Sequence, residues 1–352
     1  MKMSKKFLII ASILSIAIGF LLGRFMNKAK YKTISGPTMG TSFLIKFYHD
    51  QKIHKSLQDL EKGIKEHLLA VNKTFSTYRP DSEISKLNQD PHSHWVSVSP
   101  LMIKVMSHAL NVSALSHGAF DPTLGPLVNL WGFGPDGERK RPSDQALSSA
   151  RIKVGHGLIS LNPGKLLLKR EVKGMYLDFS ASAKGLGVDI IGEYLKANKI
   201  EHFMVEIGGE VKVLGQGPQG AWKIGLESPV LSKNSKKIMT LKDLSVATSG
   251  SYRNFFEEKG IQYSHTIDPL TGKPIRHGMV LASVLSDKSC MDADAWATAL
   301  MAMGPKDAMR ISEKLGLRSY LVFTMNLTGK VEEKDLEFYL SKAFKKSVGD
   351  FK

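Results

Sequence analysis

Cysteine is almost absent from this chain: among 352 residues there is one, Cys290. A single cysteine makes no intrachain disulfide and no paired-cysteine zinc site. It also lies far from the N-terminus, which excludes lipid attachment at the end of a leader segment. The count is compatible with an oxidising compartment without demonstrating one. The chain has no His-Glu-x-x-His run, no phosphate-loop signature and no short-period repeat, so the usual supports for hydrolase, kinase and solenoid readings are missing. Aromatic residues are only 8% of the total, and they do not interleave with the basic clusters at Lys233, Lys236 and Lys237 or at Lys342, Lys345 and Lys346. A stacking platform for nucleic acid needs that interleaving, so no nucleic-acid partner is expected.

What is present is an ordinary globular composition, 42% hydrophobic and 23% charged. The net charge of +16 is concentrated at the start, where residues 1–30 carry six basic residues and no acids. Lys2, Lys5 and Lys6 precede a 17-residue apolar run, Phe7 to Gly23, followed by Arg24, Lys28 and Lys30. That is the pattern of a secretory signal or signal-anchor. At about 1.5 Å per residue the run reaches about 26 Å, marginal for a full span. No small-x-small cleavage site closes it, which favours an uncleaved anchor. The expected division is residues 1–30 as anchor and 31–352 as one exported domain at the periplasmic side of the inner membrane.

Tyr31 to Tyr48 opens with a turn-like SGPTMGT and continues into SFLIKFY, which alternates as a strand does. Apolar residues at 53, 57, 60, 64, 68 and 71 predict a helix to Phe75, and the pattern over Pro100–Ser116 predicts another. Asp121 to Arg141, rich in Gly, Pro and Trp, is expected to be loop. LISLNPGKLLLKR predicts a hairpin, and MYLDFSASAKGLGVD a strand passing through small residues into a helix. FMVEIGGEVKVLG, AWKIGLESP, IMTLKDLSVATSG and IQYSHTIDP predict antiparallel strands. Helices follow at Ala293–Met303 and Pro305–Leu315, then a last strand, SYLVFTMN. Without regular βαβ alternation the class is α+β. LGQGPQG has dinucleotide-fingerprint spacing, but Pro218 lies inside it and a strand follows, so it predicts a hairpin turn.

Three constellations have chemical content. Asp294 and Thr298, four apart on a helix, present two oxygens on one face. These suit a hard cation, or simply a hydrogen-bonded pair. His265, at a strand end before Asp268-Pro269, is either a base near neutrality or part of a turn start. YLDFSASAKG sets Asp178, Ser180, Ser182 and Lys184 among small residues, either for a phosphate-bearing ligand or for close packing. GAFDPTLGPL adds Asp121 on an irregular loop, where binding residues concentrate.

In order, PTMGTSF, STYRPDSEISKLN, GAFDPTLGPLVNLWGFG, YLDFSASAKGLGVD, VEIGGEV, VATSGSYRNF, HTIDPLTGKPI and DADAWATALMAMG resemble the motifs of the ApbE family of FAD:protein FMN transferases. The resemblance covers about residues 31–325. It implies a T-fold-like architecture of two related α/β subdomains with a flavin cleft between them. It implies FAD as substrate and Mg2+ held by Asp294, Thr298 and the backbone of Ala181 and Ala297. FAD contacts would come from Met39, Tyr78, Ala119, Phe120, Asp121, Asp178, Lys184 and Ile267. His265 and Lys184 would serve the chemistry, moving FMN to a Thr or Ser hydroxyl and releasing AMP. The implied acceptor carries an Asp/Ser-Gly-Ala-Thr/Ser motif in a membrane electron-transport subunit. The alternatives are a Mg-dependent FAD pyrophosphatase and a non-catalytic FAD-binding protein. Two features depart from the family pattern: the missing lipoprotein cysteine, and Glu206-Ile207-Gly208-Gly209-Glu210 where many members have Asn-x-Gly-Gly-Asp.

Overall fold

The computed structural model describes residues 31–48, 55–90, 93–135, 137–218, 220–226, 237–251, 254–325, 332–348 and 351. Its frame is an eight-stranded sheet. The strands are β1 (Tyr31–Thr38), β2 (Thr41–Tyr48), β3 (Phe203–Ile207), β4 (Glu210–Leu214), β5 (Ser245–Gly250), β6 (Met279–Ser286), β7 (Arg318–Thr324) and β8 (Leu336–Leu340). They lie side by side in chain order, and every pairing is antiparallel. The α+β expectation holds.

The sheet has two halves of like connectivity. In the first, the hairpin β1–β2 is followed by helices α1 (Leu57–Phe75) and α2 (Ala183–Ala197), then the hairpin β3–β4. In the second, β5 and β6 are followed by α3 (Cys290–Met303) and α4 (Pro305–Leu315), then the hairpin β7–β8. Between β4 and β5 the ladder holds only two residue pairs, Lys212↔Ser245 and Val211↔Val246.

Strand alternation divides the core. Phe43, Ile45, Phe47, Phe203, Val205 and Ile207 face one side, where they pack on Leu60, Ile64 and Leu68 of α1 and Val188, Ile191 and Leu195 of α2. In the second half Ala247, Ala282 and Val284 meet the alanine-rich α3, whose small side chains let helix and sheet approach closely. The opposite face of the sheet, including Val211, Val246, Leu281 and Val322, is covered by the hairpin Trp222–Leu226/Lys237–Leu241 and by Phe344. The middle of α2 is locked to the N-terminus of α3. The Asp189 carboxylate on α2 accepts from the backbone N–H groups of Cys290 and Met291, each at 2.9 Å, capping α3. Two insertions stand over the helix-side end of the sheet: residues 76–182 within the first half and 251–278 between β5 and β6.

Several expectations need correction. SGPT is not a turn: β1 runs through Thr38, and only Met39 and Gly40, both at positive φ, turn the chain. Within the predicted loop 121–141, Gly125–Leu130 is a short helix. Met175–Asp178 forms no strand, only an isolated bridge from Tyr176 to Leu124. SYLVFTMN is not the last strand, because β8 follows it. The helix expected from position 53 begins at Leu57, capped by Ser56; residues 53 and 54 lie outside the described residues. So does the apolar run 7–23, and among the described residues no helix is long and apolar enough to cross a membrane.

Candidate active site

A cavity of about 370 Å3 opens at the helix-side end of the sheet, lined from both halves and both insertions. Lys184 sits in the first turn of α2, Gly208 and Glu210 at the β3–β4 turn, and Thr248, Ser249 and Gly250 at the end of β5. Asp294 and Thr298 project from α3, while His265 and Ile267 come from the second insertion. Ala119, Phe120, Asp121, Asp178 and Ala181 close the wall from the first insertion.

The polar floor is a charge cluster. Lys184 Nζ lies 3.0 Å from Glu210 Oε1 and 3.7 Å from Asp294 Oδ1. Both carboxylates are about 3% exposed. Asp294 Oδ2 also accepts from the Gly185 N–H at 3.0 Å, whereas Glu210 Oε2 is buried without a partner. Burial pushes the Glu210 carboxyl up to about 8, against the lowering pull of Lys184. Burial likewise raises Asp294. Burial alone would lower the Lys184 ammonium, but the two carboxylates outweigh it and hold the group firmly protonated. Two buried acids thus share one half-buried cation.

This floor fits a hard divalent cation. Its side-chain donors are oxygens, two acids face one ammonium, and one buried carboxylate oxygen is unused. Among the described residues no three acidic, histidine or cysteine side chains converge as a complete ligand set. A cation there would complete its shell from hydroxyl, backbone and substrate phosphate oxygens. Thr298 Oγ1 is 3.1 Å from Ser249 Oγ.

His265 stands apart from that cluster. The Asn254 carbonyl accepts from both the backbone N–H and the Nδ1 of His265, each at 3.0 Å. A carbonyl only accepts, so Nδ1 carries the proton and Nε2 keeps its lone pair. Burial, assisted by Lys184 and Arg139, pushes the imidazole below its ordinary value despite that hydrogen bond. The ring is therefore neutral near pH 7. It packs edge-on to Phe133, beside the rings of Trp131, Phe256 and Tyr263. Trp131 Nε1 donates to the Gly272 carbonyl at 2.9 Å, pinning one insertion to the other.

The loop acids are largely committed to architecture. Asp121 accepts from the Thr123 N–H and hydroxyl and from the His156 N–H at 2.6–2.8 Å. Asp178 Oδ1 accepts from the Ser180 N–H, and the Asp178 N–H donates to the Pro122 carbonyl, both at 2.8 Å. Both shape the cavity wall.

Of the residues named from sequence, the structure brings together Ala119, Phe120, Asp121, Asp178, Ala181, Lys184, His265, Ile267, Asp294 and Thr298. It leaves out three. Met39 is at the β1–β2 turn, packed against α2 near Gly187. Tyr78 is 70% exposed beyond α1, and Ala297 is buried inside α3. Sequence reasoning assigned no role to Thr248, Ser249, Gly250 or Asn254, although VATSGSYRNF flagged their segment. It had no signal for the tautomer lock, which runs through a backbone carbonyl.

The sequence and fold resemble those of known proteins. The model of the ApbE family matches residues 39–321. An FAD:protein FMN transferase of Vibrio cholerae is 41% identical over 304 residues, covering 86% of this chain and 90% of that protein. A Haemophilus influenzae FAD:protein FMN transferase is 35% identical, covering 89% and 92%. The solved flavin transferase ApbE from Vibrio cholerae superposes with a TM-score of 0.82 at 37% identity, over 91% of this chain and 99% of that one. The apo flavinyl transferase ApbE of Pseudomonas stutzeri gives 0.81 at 34%, over 90% and 96%. With a family model spanning most of the chain, relatives at 35–41% identity and the same fold, this chain belongs to the ApbE family.

Proposed function

We propose that the chain transfers FMN from FAD to a hydroxyl of an acceptor protein, releasing AMP. The observation that carries this reading is one cavity pairing a buried Lys184–Glu210–Asp294 cluster with a neutral His265 fixed in one tautomer. The first feature suits a pyrophosphate and the second a proton acceptor.

The acceptor oxygen bonds to the phosphorus of the FMN half as the bond to the AMP oxygen breaks. His265 Nε2 takes the hydroxyl proton, because an alcohol is a weak nucleophile until that proton moves. Lys184 offers its ammonium to the phosphate oxygens, and the cavity walls exclude competing water. When bound, Mg2+ supplies charge neutralisation at the pyrophosphate, held by Asp294, Thr298 and the backbone carbonyl of Ala181. The acceptor is a Thr or Ser in an Asp/Ser-Gly-Ala-Thr/Ser segment of a membrane redox subunit. Residues 7–23 tether the enzyme beside it on the periplasmic side.

The test is to incubate residues 31–352 with FAD, Mg2+ and an acceptor bearing that motif. Flavin fluorescence on the denatured acceptor supports transfer. Free FMN alone would make the protein a pyrophosphatase, and intact FAD a binder. Asp294→Ala should abolish Mg-dependent turnover; full Mg-dependent activity in that variant would remove Asp294 from the site.

A further inference from the structure

The central join of the sheet is open at one end. β4 and β5 pair only at Lys212↔Ser245 and Val211↔Val246. The β3–β4 hairpin then turns away at Gly208 and Gly209, while β5 continues through Ala247, Thr248, Ser249 and Gly250, laddered among the described residues only to β6. Beside this notch, on the sheet face opposite α1–α3, lies a second cavity of about 230 Å3. It is roofed by Ile224, Gly225 and Leu226 of the covering hairpin. Gly208, Thr248 and Gly250 line both cavities, which therefore adjoin at the notch.

We infer that this second cavity is the docking groove for the acceptor polypeptide, which lies extended along the free edge of β5 and passes its hydroxyl residue through the notch to the active-site cavity. The inference rests on the transferase reading and supplies what that reading lacks, a path for a macromolecule. FAD held in the first cavity fills the approach from the insertion side. The acceptor oxygen has to reach the phosphorus from the side away from the leaving AMP oxygen. A strand edge without a partner is a template for main-chain pairing with an incoming segment. At about 3.3 Å per residue, Ala247–Gly250 spans about 13 Å and matches about four acceptor residues.

The lining also suits this occupant. Gly208, Gly209, Gly225 and Gly250 present backbone rather than side chains. A Cβ built on Gly209 would meet nothing within 4 Å, so space at the turn is open. Such walls let an incoming main chain approach the backbone of the groove closely. Glu206 marks the entrance. It lines the groove, and its Oε1 accepts from the Gly209 N–H at 2.7 Å, holding the turn aside.

The test uses the chain's own scarcity of thiols. Cys290 is buried, so one introduced cysteine is the sole accessible thiol among the described residues. The probe is a synthetic peptide containing Asp-Gly-Ala-Thr with an activated disulfide two residues from the threonine. Glu206→Cys and Gly225→Cys should each capture it at least tenfold faster than Lys62→Cys on the outer face of α1, with unmodified peptide competing. Glu206→Trp should raise the acceptor KM about tenfold and leave the KM for FAD unchanged. Equal capture at all three positions, or an unmoved acceptor KM in Glu206→Trp, would overturn the groove while FMN still reached the peptide. If the wild-type chain leaves the peptide without flavin fluorescence, the transferase reading itself fails, and the groove with it.

Discussion

His265 gains its chemical value from one hydrogen bond. With Nδ1 donating to Asn254, Nε2 is the basic nitrogen, and burial keeps its affinity for a proton below that of a free imidazole. The acid limb of kcat/KM should therefore have its midpoint below pH 6.5, the ordinary histidine value, with transfer lost as pH falls through it. His265→Ala should lower kcat by about 10²–10⁴-fold and leave FAD affinity by fluorescence quenching within about twofold. Unchanged turnover would remove His265 from the mechanism. Glu210 makes a second prediction. Its folded-state pKa, about 8, lies above the ordinary glutamate value of 4.5, so the folded protein binds a proton that the unfolded chain has released. Stability from this group is full below pH 4.5 and lost as pH rises through about 8. Metal-free Glu210→Gln should gain in Tm relative to wild type at pH 9 over its difference at pH 5. A pH-independent difference would refute the linkage. Four-residue spacing made Asp294 and Thr298 legible as a pair on one helical face, and only the resemblance gave that pair a cation. Glu210 was legible only as a departure from a motif, since its meaning depends on Lys184, which lies 26 residues away in the chain.

Helices show most plainly what periodicity does and does not reveal. α1 and Pro100–Leu115 were readable because their apolar residues recur at three and four. β1 was misread because Gly36 and Pro37 resemble a turn, yet on an edge strand a proline costs no central ladder bond. β8 was missed because its burial is confined to a few residues at a sheet edge. The contact between α2 and α3 was invisible in sequence, although it sets the site. A Cβ on Gly185 would sit 2.5 Å from the Cys290 carbonyl oxygen and 2.8 Å from Met291 Cα. Backbone cannot yield as a side-chain end does, so Gly185→Ala should separate the helices. We expect about 1–3 kcal/mol of destabilisation in urea denaturation. The Gly185 N–H holds Asp294, so FAD affinity should fall in the same variant. A neutral effect on both would show that the helices have slack there.

For the molecule as a whole, the α+β class followed from helices mixed with antiparallel strands without regular βαβ alternation, and the ApbE resemblance from the order of motifs, most of which supply walls of one cavity. The equivalence of the two sheet halves was implied by the resemblance but not by the residue pattern, since the 76–182 insertion separates α1 from α2 and hides the repeated hairpin–helix–helix–hairpin plan. The proposed tether belongs at this scale too. Removing residues 1–30 should shift the protein from the membrane fraction to the soluble fraction, with peptide flavinylation per molecule kept within about twofold. Continued co-sedimentation with membranes would assign the attachment elsewhere. Finally, the eight strands lie in the sheet in the same order as in the chain. No later strand must insert between two earlier ones. The first four-strand half can therefore close on α1 and α2 before the second exists, whenever the chain emerges N-terminus first from a ribosome or an export pore. Assembly becomes a matter of adding to one growing edge: the long-range pairing of β2 with β3 is closed inside the first half, and the second half then joins through two residue pairs that lie close in the chain.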